Sequence, residues 1–307
     1  MNKNYDLIIV GGGPIGSAIA YFVSQGKEKL NFKNIALIQK EPNVDEVIAY
    51  LNAGGSVRWY FEDKEIAEAT RKTAEFIIKI KNEVDVNLVK DSYYFVHKGI
   101  IAPSLNISGK KLVDYFKKVA KENGVEIFEG FSFENYEKSQ DGYIVKTDKG
   151  EFLTKRIFFA LGYKNKNLFN LDLEVEKRQL FVLDLPVNEE RKSLPHTILK
   201  FQDGIVYFFI KKFDDGYRLV LGQEDIFEHS LEPEPENYFE KLLELGLDKQ
   251  LPFLKNAKVE KILWGFDVKN KKPHIQEIEE NVWTINCGSA VRSIIHIGEK
   301  IIETIKD

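Results

Sequence analysis

Hydrophobic positions run in two rhythms along this chain. Leu7 to Val10 are four adjacent apolar residues, the mark of a strand buried on both faces, and Ile35 to Ile38 form a second such run after the polar loop Gly26 to Asn34. Ser108 to Asn123 instead repeats every three to four residues, placing Leu112, Tyr115, Phe116 and Val119 on one face of a helix that Gly124 ends. Glu62 to Lys81 has the same helical rhythm and reads as scaffold. Val86 to Val96 reads as strand, with Tyr93, Tyr94 and Phe95 expected in the core or in a pocket wall. Val125 to Phe128, Gly142 to Thr147 and Glu151 to Leu153 are short strands. Arg156 to Ala160 is a buried strand that runs into Leu161, Gly162 and Tyr163.

Beyond Leu173 the rhythm becomes alternation. Gln179 to Leu185, Gly204 to Ile210 and Tyr217 to Leu221 read as an antiparallel sheet, with Asp214, Asp215 and Gly216 forming one of its turns. Pro233 to Leu247 is expected to hold one helix. Val282 to Asn286 is a strand, Cys287 and Gly288 a turn, and Ser293 to Ile305 an apolar helix. That closing strand–glycine–helix resembles the opening and should rejoin it. The fold class is therefore α/β, α+β overall: a Rossmann-like domain joined to a second, antiparallel β-rich domain.

Composition narrows the function. With 43% hydrophobic residues, the 307-residue chain can bury a sizeable core in one large or two smaller domains. A net charge of −4 gives no reason to expect a nucleic acid as ligand. No apolar run reaches the roughly 18 residues of a membrane span, and the apolar start reads as a strand, not a signal peptide. Cys287 is the only cysteine, so no intrachain disulfide can form and a cytoplasmic location is expected. Thirty per cent charged residues with one Cys and one Met fit a thermophile. The five histidines, among them His97, His196, His229, His274 and His296, show no metal-ligand spacing, so no metal is expected.

The chemistry concentrates near the start. Gly11, Gly13 and Gly16 follow the first strand as G-x-G-x-x-G and open a helix whose first turn holds Pro14 and Ile15. In such a turn the first glycine makes the bend, the second lets backbone approach a pyrophosphate, and the third lets helix pack on strand. The helix directs free N–H groups and its positive dipole end at the phosphates. An acidic residue usually ends the second strand and holds the adenosine ribose. Here Gln39 stands there, followed by Lys40 and Glu41; Gln39 can still bond a hydroxyl through its amide, and Glu41 is the alternative. Asn52 to Arg58 reads NAGGSVR. Gly54 and Gly55 would let backbone lie against a flat ligand, and Arg58 offers a fork for a carboxylate or an interdomain ion pair.

With these residues placed, the chain resembles the FAD-dependent amine oxidoreductases of the D-amino-acid oxidase, glycine oxidase and sarcosine oxidase superfamily. The resemblance rests on GGGPIG, NAGGSVR, the block from Gly124 to Pro186, Trp264-Gly265, and NCGS with its following helix. It implies an FAD-binding domain at 1–81, 105–172 and 281–307, and a substrate domain at 82–104 and 173–280. It places FAD diphosphate on Gly11, Gly13 and Gly16, ribose on Gln39, adenine near Phe133, and the flavin ring by Gly54, Gly55, Gly162, Gly288 and Ser289. Arg58 matches the arginine that binds the substrate carboxylate in sarcosine oxidases. Arg292, in a loop shorter than the family's, would add charge by the flavin pyrimidine or a second carboxylate contact. Asn52 falls where some relatives carry a flavin-linking histidine, and Cys287 does not match the linking cysteine, so non-covalent FAD is expected. Val220 stands where sarcosine oxidases place the lysine of oxygen activation, which favours a dehydrogenase with another electron acceptor.

The resemblance thus implies hydride transfer from a small amino acid or secondary amine. A 2-hydroxy-acid dehydrogenase, a nicotinamide-dependent dehydrogenase and a non-catalytic flavin-binding subunit are the alternatives. Tyr207 and Tyr217 would line the pocket or belong to the core. Homo- and hetero-oligomers are both left open.

Overall fold

A computed structural model describes residues 3–40, 55–94, 96–185, 187, 195–213, 215–227, 237–269 and 272–306. In chain order its strands are β1 (Asn4–Tyr5), β2 (Leu7–Val10), β3 (Ile35–Gln39), β4 (Ser56–Arg58), β5 (Val86–Tyr94), β6 (Ile100–Ile107), β7 (Val125–Glu129), β8 (Phe133–Ser139), β9 (Gly142–Thr147), β10 (Gly150–Thr154), β11 (Ile157–Phe159), β12 (Val175–Leu183), β13 (Thr197–Phe201), β14 (Gly204–Phe213), β15 (Gly216–Glu224), β16 (Val259–Val268), β17 (His274–Glu279) and β18 (Val282–Asn286). The long helices are α1 (Pro14–Gly26), α2 (Lys64–Lys79), α3 (Gly109–Glu122) and α4 (Ile294–Lys306).

Three sheets result. The first has the order β17-β18-β11-β2-β3-β7, parallel except for β17. Its central strands are apolar on both faces because helices cover one side and aromatic rings the other. On the helix side Leu7, Ile9, Leu37 and Phe158 meet Ile19, Val23 and Ile297 of α1 and α4. On the far side Ile8, Ile38 and Phe159 meet Tyr143, Val145 and Phe152 of the small sheet β1-β10-β9-β8. The closing β18–α4 unit does rejoin the opening β2–α1 unit, through β11.

The third sheet has the order β16-β12-β15-β14-β13-β5-β6-β4 and is antiparallel apart from the β13–β5 pair. Alternation sorts its side chains. Phe181, Leu183, Phe208, Leu219 and Leu221 face a layer of short helices carrying Phe239, Leu242 and Leu247. Leu180, Val182, Phe209, Val220 and Leu263 face the other way. Two sequence expectations are corrected. The helix expected over Pro233 to Leu247 is seen as two short pieces, Phe239–Glu244 and Leu247–Gln250, broken at Gly246, whose φ is 90°. Tyr93 is neither core nor pocket wall: it is 41% exposed on β5, near exposed Leu88 and Ile101. Period-2 patterning gives two faces, but not which of them is covered. The boundaries of the sheets also cut across the expected segments. Ser56–Arg58 pairs with β6 in the large sheet, and His274–Glu279 adds an edge to the parallel one.

Candidate active site

A cavity of about 390 Å³ lies between the parallel sheet and the large antiparallel sheet. One end is backbone. Gly11 turns the chain out of β2 at φ 107°, and a Cβ there would sit 2.5 Å from the Ala160 carbonyl oxygen. A Cβ on Gly16 would sit 1.7 Å from the Gly11 carbonyl oxygen, so this glycine exists for packing and does not line the cavity. The first α-helical bond of α1 runs from Ser17 N to Gly13 O at 2.9 Å. The N–H groups of Ile15 and Gly16 precede it and have no carbonyl of the helix to meet. No acidic residue stands in this first turn to compete for an anion. Gly11, Gly13, Pro14, Ile15, Gln39, Lys40, Gly55, Gly162 and Ser289 all border the cavity.

The other end is built from side chains that are far apart in sequence. Arg58 ends β4 and is only 8% exposed. Arg292 reaches in from the turn before α4, where its Nε donates to the Ser56 carbonyl at 3.4 Å. Both guanidinium groups lie on the Phe61 ring, at 4.9 and 5.6 Å from its centroid. Neither forms an ion pair among the described residues, and the Arg58 Nε is buried without a hydrogen-bond partner. Burial, and then the neighbouring Arg58, pull the Arg292 pKa down to about 9. Arg178 is different. Burial opposes its charge, but Glu224, Tyr207 and Glu176 outweigh that and hold its pKa above the usual value; it donates to Glu224 at 2.6 Å and to Glu176 at 2.8 Å.

His196, just ahead of β13, joins this end. Its Nδ1 is 2.7 Å from the Ser56 Oγ, and its ring lies 5.2 Å from Phe209. Burial, then Arg58 and Arg292, push its pKa well below the usual histidine value, so the ring is neutral. Tyr207 borders the cavity and its phenol pKa is raised by burial and then by Glu224; Tyr217 packs instead in the core behind the sheet. Asp267 accepts from the Ser289 N–H at 2.9 Å, and burial raises its pKa. Trp264 completes the wall.

The structure therefore brings together Arg58, Arg292 and the diphosphate-loop residues. It separates others. Phe133 packs on Phe159 at 5.1 Å beneath the parallel sheet and is outside the cavity lining, as is Gly288. Asn52 and Gly54 lie outside the described residues. His296 sits on α4 near Glu65 and Glu299, away from the cavity. The residues that sequence reasoning missed are His196, Arg178, Glu224 and Asp267. The one signal for His196 was its place at the head of an apolar strand, between Pro195 and Thr197.

The end of this cavity formed by the glycine turn and the start of α1 suits a dinucleotide diphosphate: side chains are excluded there and the first N–H groups of the helix have no helical acceptor. Comparison with known proteins agrees. A family model described as FAD dependent oxidoreductase matches residues 62–303, and the chain belongs to that family, whose members include D-amino-acid oxidase. It is an FAD-dependent oxidoreductase. Among solved structures, an L-proline dehydrogenase from P. horikoshii superposes with a TM-score of 0.75 at 18% identity, covering 99% of this chain and 94% of that one. A glycine oxidase from Bacillus cereus gives 0.70 at 18% identity, covering 98% and 95%; an iminodiacetate oxidase from Chelativorans sp. gives 0.68 at 16%, covering 95% and 93%. A Xenopus laevis FAD-dependent oxidoreductase domain-containing protein 1 is 28% identical over 81 residues, which span 26% of this chain and 16% of that protein. No helix among the described residues is long and apolar enough to cross a membrane.

Proposed function

We propose that this chain oxidises a small amino acid or imino acid at the carbon bearing nitrogen, with FAD held non-covalently. The observation that carries the reading is the pair Arg58 and Arg292: two guanidinium groups drawn into the cavity with no carboxylate partner among the described residues. A buried arginine costs free energy unless it meets an anion, and its fork binds a carboxylate through two charge-assisted hydrogen bonds. The three solved neighbours named above act, by their names, on amino or imino acids.

FAD, when bound, takes up the hydride. The protein's part is to bind and orient. Arg58 and Arg292 hold the carboxylate and so fix the nitrogen-bearing carbon. Neutral His196, oriented through its Ser56 contact, can accept a hydrogen bond from the substrate nitrogen, and the same burial and positive charge that keep its ring neutral favour binding of the unprotonated amine over the ammonium. Leu180, Phe209 and Trp264 keep this end dry, which strengthens each charge contact. Cys287 is buried with its thiol pKa pushed up to about 12 by burial and then Asp267, which disfavours a thiolate link to the flavin. Val220 lies in the apolar layer with Leu180 and Phe209, in support of a dehydrogenase that uses an acceptor other than oxygen.

The test is anaerobic reduction of the bound flavin by L-proline, glycine, sarcosine, iminodiacetate and lactate, each beside its analogue without a carboxylate. Bleaching by an amino or imino acid, and not by the matching amine, is expected. Bleaching by lactate alone would move the substrate to the 2-hydroxy acids. Equal bleaching by pyrrolidine and proline would remove the carboxylate from the reading.

A further inference from the structure

The adenosine end of the cavity carries a cation where a dinucleotide site of this kind usually carries an acid. Gln39 closes β3 opposite Glu129 of β7, and its side chain lies over the glycine turn: a Cβ on Gly12 would meet its Oε1 at 1.9 Å. Lys117, on the helix α3, donates from Nζ to that same Oε1 and to Glu129 Oε1 at 3.1 Å. The two partners of this ion pair are not alike. The Lys117 side chain is 12% exposed and that of Glu129 is 61% exposed. Water screens the carboxylate far more than the ammonium, and it is the ammonium that Gln39 meets.

We propose that Lys117 is a positioning residue for FAD, one that fixes which end of the Gln39 amide meets the adenosine ribose. An ammonium has three donors and no acceptor, so Gln39 must turn its carbonyl oxygen to Lys117. The Gln39 NH₂ is then the end left to a ligand, and it donates to a ribose hydroxyl oxygen. The usual acidic residue accepts from the ribose hydroxyls instead. Polarity at this subsite is thereby reversed. Lys117 does not itself border the cavity, so it acts through Gln39. The inference rests on the family's use of FAD and is independent of the substrate.

The test is dilution of the flavin-loaded protein, with released flavin read by fluorescence, repeated after exchange of FAD for FMN, which lacks the adenosine. Lys117→Met and Gln39→Leu should each release FAD at roughly three- to tenfold higher protein concentration, the size of one or two hydrogen bonds, with FMN affinity unchanged. Gln39→Glu gives Lys117 one oxygen and the ribose the other, and should retain FAD at least as well as wild type. Unchanged FAD affinity in Lys117→Met would overturn the proposal, whatever Gln39→Leu does. So would a parallel loss of FAD and FMN, which would mark a structural effect; if Lys117→Met does not fold, Lys117→Gln, which frees Gln39 to turn either end, takes its place with the same expected result. Wild-type protein that binds FMN as tightly as FAD would show that no adenosine subsite exists here. Protein with no affinity for either flavin would remove the cofactor assignment itself, a separate failure.

Discussion

The two ends of the cavity are built by opposite strategies. The diphosphate end is a backbone turn without side chains: a Cβ on Gly11 would strike the Ala160 carbonyl, one on Gly12 the Gln39 side chain, and one on Gly16, behind the cavity, the Gly11 carbonyl, each within 2.5 Å. At the substrate end the ligand is met by charge, and side chains from β4, the loop ahead of β13 and the turn before α4 converge on it. The first strategy is local and rigid. It uses a strand, a turn and a helix adjacent in sequence, and it holds whatever carries a diphosphate. The second is long-range and selective, because changing one side chain changes the substrate without touching the turn.

This contrast predicts which mutations destroy the protein and which only disarm it. The largest effect should come from Gly16→Val. Its Cβ would have to displace the Gly11 carbonyl, which is backbone and cannot swing away. A loss of about 3 kcal/mol or more is expected, with flavin lost and the folded fraction reduced. Flavin content and thermal unfolding check it; a Gly16→Val protein with normal flavin and normal melting would show that the turn is looser than described.

Arg292→Ala should leave flavin content intact and weaken carboxylate binding by about 2–4 kcal/mol, or roughly thirty- to a thousandfold. It removes the cation without disturbing the glycine turn. Titration of the flavin spectrum with acetate and larger carboxylates measures this. Loss of flavin along with loss of carboxylate binding would mean that the two ends are not separable.

His196→Gln should lower the rate of flavin reduction by roughly tenfold, the size of a lost hydrogen bond to the substrate nitrogen, with smaller effects on carboxylate affinity. Arg58 and Arg292 both hold the ring's pKa down, and Ser56, Tyr207 and Phe209, which also lie against it, carry no charge at neutral pH. Wild-type activity should therefore persist below pH 6.5 further than an ordinary histidine allows. A rate that His196→Gln leaves unchanged would remove His196 from the reacting nitrogen.

The smallest effect concerns stability against pH. His196 is neutral when folded and takes a proton when unfolded below about pH 6.5. The unfolded chain then binds more protons, so stability rises with pH up to that value and is lost as pH falls toward the folded pKa. His296 is also depressed, by burial and then Lys300, and acts in the same window. Denaturant unfolding between pH 5 and 7 should show a shallower slope for His196→Gln than for wild type. Equal slopes would mean that His196 is not neutral in the folded protein.

How far the sequence could be read follows the same divide. The glycine turn, the buried strands around it and α3 with its Ser108 cap were legible because their causes lie within about fifteen residues of one another. Arg58 was legible only through its nearness to the glycines of NAGGSVR. His196 was not, because Ser56 and His196 stand 140 positions apart and nothing local marks the histidine as a partner. Phe133 lies outside the cavity lining for a related reason. An aromatic residue on a short strand can stack on a ligand or on Phe159, and the tertiary packing that decides between them leaves no local trace. Tyr93 reads from the sequence as core or pocket wall, yet it is exposed on a strand where its neighbour Ser92 is buried.

The central claim is that Arg58, which has no ion-pair partner among the described residues, holds a carboxylate beside the flavin. The most direct measurement is the change in flavin absorbance of wild type, Arg58→Lys and Arg58→Ala on titration with simple carboxylates of increasing size. Lysine keeps the charge but loses the planar fork, so Arg58→Lys should bind moderately more weakly and Arg58→Ala severely so, at equal flavin content. Identical spectral changes at identical concentrations in wild type and Arg58→Ala would contradict the account.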